Sequence, residues 1–62
     1  MTKDDRARLE YDLADARNRL AWARYRAENS KSKKDRQFAR EDIEFYGNRV
    51  AYISAWLKSG TP

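Results

Sequence analysis

Apolar residues recur along this chain with the spacing of helices. In the first half, Leu9, Leu13, Ala16, Leu20, Ala23 and Ala27 are separated by alternating steps of four and three, the heptad seam of a helix that packs on another. In the second half, Ala39, Ile43, Tyr46, Val50, Ile53 and Leu57 form a seam of the same kind. No strand-like alternation with β-branched enrichment competes with this period.

Each half carries a second stripe. Ala7, Tyr11, Ala14, Asn18, Ala21 and Tyr25, with Trp22 at the margin, lie on the side of the first helix opposite its Leu/Ala seam. Phe38, Asp42, Phe45, Arg49, Tyr52 and Trp56 lie beside the Ile43 seam, and the two merge into an arc about half the helix circumference wide.

Local signals set the boundaries. Thr2-Lys3-Asp4-Asp5 and Ser32-Lys33-Lys34-Asp35 are capping-box relatives: a hydroxyl accepts from the amide three residues on, and acids suit the positive end of the helix dipole. Asn29-Ser30-Lys31 reads as a stop and turn. Lys58-Ser59-Gly60-Thr61-Pro62 closes the second helix, with a cation in the last turn, glycine for the cap and proline after it. The pattern predicts an all-α fold with one domain over 1–62: a helix over about 3–29, a basic turn over about 29–33 and a helix over about 33–59. So short a link makes the helices an antiparallel hairpin. Gly47 falls inside the second helix, but the apolar phase runs through it, so no break is expected; close helix approach or simple tolerance explains it better than a hinge.

Which faces meet stays open. The Leu9 seam pairs in order with the Ile43 seam, from Leu9 with Leu57 to Ala27 with Ala39. The Leu9 seam with the Phe38 seam, and the back stripe of the first helix with the Ile43 seam, also keep a constant register. Under the first pairing Tyr11, Trp22, Tyr25, Phe38, Phe45, Tyr52 and Trp56 lie largely outside, an apolar excess beyond the few hundred Å² of a typical monomer's largest patch. Self-association into a four-helix bundle or larger helical oligomer, first of all a homodimer, is the expected remedy, with these rings as the oligomer or partner interface. Asp42 and Arg49 are placed to pair across a two-fold axis.

Size and composition narrow the chemistry. At 62 residues without cysteine or histidine, the chain has no disulfide and no good zinc ligand, and no metal or cofactor is expected. The same absence removes the commonest general base and the best nucleophile, and no glycine-rich phosphate loop is present, so no enzyme is expected. The longest apolar runs are far short of a membrane span, and acids stand where a signal peptide would be apolar, which predicts an untargeted cytoplasmic protein away from membranes.

Of the net charge of +4, Lys31, Lys33 and Lys34 supply +3 in the turn. These lysines and the helix arginines make nucleic acid an alternative partner through phosphate contacts, although no known reading head is present. Arg24 and Arg26 beside Trp22 and Tyr25 combine guanidinium forks with stacking rings, which makes an oligomeric site for a nucleotide or phosphorylated small ligand a second alternative. The leading expectation is a non-enzymatic helical hairpin that self-associates and binds a protein partner, in the manner of small accessory proteins of phages and mobile elements that cover a host protein's surface.

Overall fold

The computed structural model describes residues 1–60. It consists of α1 (Lys3–Asn29) and α2 (Lys33–Ser59), packed along their length as an antiparallel hairpin with extents of 44 × 14 × 12 Å. Among the described residues there is no strand and no helix long and apolar enough to cross a membrane.

The termini form where the local chemistry places them. The Asp5 amide donates to the Thr2 hydroxyl at 3.1 Å and the Thr2 amide donates to the Asp5 carboxylate at 3.4 Å, completing a capping box. Ser32 caps α2 by accepting from the Asp35 amide at 3.2 Å. There the reciprocal half is replaced: the Asp35 carboxylate accepts from Arg26 at 2.7 Å and ties the start of α2 to the end of α1. α1 stops at Ser30, whose backbone is extended. α2 stops at Gly60, whose φ of 75° is left-handed and strained for any residue with a Cβ. Pro62, the last of the expected stop signals, lies outside the described residues.

Gly47 sits in the unbroken helix, and a Cβ built there meets nothing within 4 Å. Close approach therefore does not explain it; the helix tolerates a glycine at a roomy position.

Burial selects one of the three possible pairings. Leu13, Ala16, Leu20 and Ala23 of α1 are buried with Ala39 and Ile53 of α2, and Leu9, Ala27, Ile43, Tyr46, Val50 and Leu57 are half-buried along the same line. These are the Leu9 and Ile43 seams. Three alanines are all but sealed (Ala16 and Ala23 at 1% exposure, Ala39 at 0%), so the helices approach closely at small residues opposite larger ones. The competing pairings place Asp42 and Arg49, or Asn18, in the contact, where desolvation without partners costs more than the apolar area returns. The resulting core is a single seam in which no large side chain is fully sealed.

Candidate functional site

With the core direction known, the other residues divide between two broad faces. At about 100° per residue, one flank of α1 carries Asp5, Arg8, Asp12, Asp15, Arg19 and Arg26. It shares a face with the α2 flank that carries Phe38, Asp42, Phe45, Arg49, Tyr52 and Trp56. Cross-helix contacts confirm the alignment. Arg26 donates to Asp42 at 3.2 Å, the Arg19 guanidinium lies 6.0 Å from the Tyr46 ring, and Trp56 lines a cleft of about 240 Å³ with Asp5, Arg8, Leu9 and Asp12.

On this aromatic face Phe45 and Tyr52 are each 60% exposed and, with Asn48 and Arg49, border a shallow groove of about 270 Å³. Tyr52 and Trp56 touch at 4.6 Å between ring centroids. The Lys34 ammonium lies 5.9 Å from the Phe38 ring, within the range of a cation–π contact. Phe38, Phe45 and Tyr52 follow one another at heptad intervals, all exposed. Trp56 departs from expectation: it is half-buried against the first turns of α1 rather than lying outside.

Among the described residues, five of the charges on this face are engaged with one another, while Arg8 and Arg49 make no ion pair. Arg19 pairs with Asp15 at 2.9 Å, and Arg26 bridges Asp35 and Asp42. Arg26 therefore holds the Asp35 carboxyl below its ordinary value of 3.8, with a smaller contribution from the Ser30 hydroxyl. Asp35 in turn raises the pKa of Arg26. Asp42 accepts from Arg26 of its own chain, a contact within the hairpin that the sequence did not indicate. One expectation changes here: Arg26 spends its guanidinium on carboxylates instead of presenting it beside the rings.

The opposite face has no aromatic side chain. From α1 it carries Lys3, Arg6, Arg17 and Arg24 with Glu10 and Glu28; from α2 it carries Lys33, Arg36, Arg40 and Lys58 with Glu44. Eight cations against three acids make a formal +5. The aromatic face has five cations (Arg8, Arg19, Arg26, Lys34, Arg49) and seven acids (Asp4, Asp5, Asp12, Asp15, Asp35, Glu41, Asp42), a formal −2. With Lys31 at the tip, the two faces account for the chain's +4. The residues of α2 between these cations are small, with Gly47, Ala51 and Ser54 on this side of the helix. Arg6 bridges Glu10 at 3.2 Å and donates to the Leu57 carbonyl, and Arg36 donates to the Ser30 carbonyl at 2.7 Å. Arg17, Arg24 and Arg40 make no hydrogen bond or ion pair with another described residue.

The back of α1 is a third surface. Tyr11 is 73% exposed; Trp22 and Tyr25 are 62% and 57% exposed and stack on each other at 5.4 Å with planes 11° apart. Arg24 points to the basic face and Arg26 to the aromatic face, so the structure does not gather the two arginines and two rings around one pocket. Lys31, Lys33 and Lys34 are all exposed around the turn. Among the described residues no group of three acids, histidines or cysteines is arranged to hold a metal ion.

Neither a family model, nor a curated protein, nor a solved structure matches this chain. Sequence reasoning singled out the turn lysines as the basic feature and missed the larger one. Its signal was present in the rotational positions of Arg17, Arg24 and Arg40, but it can be summed only once the core direction of each helix is known.

Proposed function

We propose that this chain is a small non-enzymatic interaction protein that self-associates through its aromatic face and, so assembled, binds a macromolecular partner. One observation carries the reading: Phe38, Phe45 and Tyr52 form an exposed heptad row on α2 that has no counterpart inside the hairpin. The thin core supports it. A chain of this size without disulfide or metal normally adds burial by association, and a second hairpin laid on this face makes a four-helix bundle.

The row suits a two-fold arrangement. Antiparallel pairing of α2 with its copy sets Phe38 against Trp56 of the partner subunit and Phe45 against Arg49 of the partner subunit, a ring pair and a cation–π pair. The stacked Trp22–Tyr25 pair lies away from this contact and leaves an aromatic anchor for a protein partner. The lack of histidine and cysteine supports a binding role over a catalytic one.

Sedimentation equilibrium or light scattering across a wide concentration range tests the reading. A monomer–dimer or higher equilibrium is expected. A strict monomer at all concentrations, melting cooperatively, overturns it.

A further inference from the structure

We infer that the basic broad face is a binding surface for the phosphate backbone of duplex nucleic acid. The inference does not rest on self-association, because the face is complete on one hairpin and points away from the aromatic row.

The two broad faces of the same helices differ in charge balance, with seven acids against five cations on the aromatic face and three acids against eight cations on the basic one. On the aromatic face Arg19 and Arg26 are neutralised by Asp15, Asp35 and Asp42 at 2.7–3.2 Å. On the basic face Arg17, Arg24 and Arg40 have no partner among the described residues, and a formal +5 is spread along a molecule 44 Å long. Unpaired like charges held on a rigid scaffold repel one another, and a polyanion relieves the repulsion while releasing its own counterions.

The chemistry of the face selects the polyanion. Protein interfaces are anchored by buried aromatic and apolar side chains, and single strands are held by rings on which bases stack. This face carries neither. It offers guanidinium and ammonium groups from both helices with only small side chains such as Ala51 and Ser54 among them. Such a surface holds phosphates in a row without reading bases, so recognition is by backbone charge and shape and is independent of sequence. The turn lysine Lys33 lies at the edge of the same face and extends it to the tip.

Fluorescence anisotropy with a labelled random-sequence duplex, titrated between about 50 and 200 mM salt, tests this. Binding is expected with log K falling linearly in log salt, with a slope near −5 if about six phosphates are neutralised. The variant Arg17→Ala/Arg24→Ala/Arg40→Ala removes exposed, unpartnered side chains in favour of a strong helix former, and circular dichroism verifies that it stays folded. It should bind at least about tenfold more weakly and lower the magnitude of the slope by about three. Arg8→Ala/Arg49→Ala on the aromatic face should leave the slope unchanged, and so should Phe45→Ser/Tyr52→Ser, which separates this result from the fate of self-association. The proposal is overturned by no binding at the lowest salt, or by a folded triple variant that binds like the parent. Preference for single strands also overturns it, as does equal competition by poly-glutamate, which would indicate an acidic protein partner.

Discussion

The two broad faces of this hairpin are built from the same pair of helices yet differ in charge balance and in rings. On the aromatic face acids outnumber cations, and one guanidinium, that of Arg26, joins α1 to two carboxylates of α2. The rings between them have no internal partner. On the basic face, acids are scarce and Arg17, Arg24 and Arg40 serve no described contact. An exposed ion pair contributes little to stability, so the difference bears chiefly on what each surface can meet. A nearly neutral, ring-bearing face suits another apolar surface. A strongly positive face without rings suits phosphate.

The sharpest way to break this comparison is to remove rings from one face only. Phe45→Ser/Tyr52→Ser should abolish association at micromolar concentration, since central aromatic anchors are each worth about 2 kcal/mol or more. The helical signal and melting of the dilute monomer should hardly change. Association that survives this double substitution places the interface elsewhere, with the stacked Trp22–Tyr25 pair as the next surface to alter.

A smaller effect is expected from Gly47→Ala on the basic face. Open space around the missing Cβ and the unbroken helix predict stabilisation by about 1 kcal/mol in urea melts. Unchanged or lower stability would mean that the position has a role beyond tolerance.

The smallest effect concerns the charges that serve the fold. Folding lowers the Asp35 pKa, chiefly through Arg26, so the stabilisation is fully present above the ordinary value of 3.8. It is lost as pH falls through the lower folded value. Thermal melts from about pH 7 down to about pH 2 should show part of the acid destabilisation missing in Asp35→Asn, which has nothing to titrate there. Identical pH profiles for parent and variant would show that the Arg26–Asp35 contact does not discriminate folded from unfolded chain. Arg17→Ala, Arg24→Ala and Arg40→Ala should leave the melting curve nearly unmoved at every pH, which completes the contrast between the faces.

The sequence by itself determined the elements. Alternating four- and three-residue apolar steps, two hydroxyl caps and a terminal glycine are local signals, and both helices begin and end where those signals stand. It also marked Phe38, Phe45 and Tyr52 as surplus, because two helices cannot bury four stripes against each other. Only the tertiary structure decided which stripes meet, since three pairings share a constant register and differ mainly in whether Asp42, Arg49 or Asn18 must leave water. That decision fixes the rest. Once the Leu9 and Ile43 seams face each other, Trp56 folds down on α1, Asp42 turns to Arg26, and the scattered arginines separate into those that hold the hairpin and those that face outward. Periodicity along a chain gives angles about each helix axis, whereas the charge of a face depends on how two axes are turned toward each other, and packing alone sets that turn.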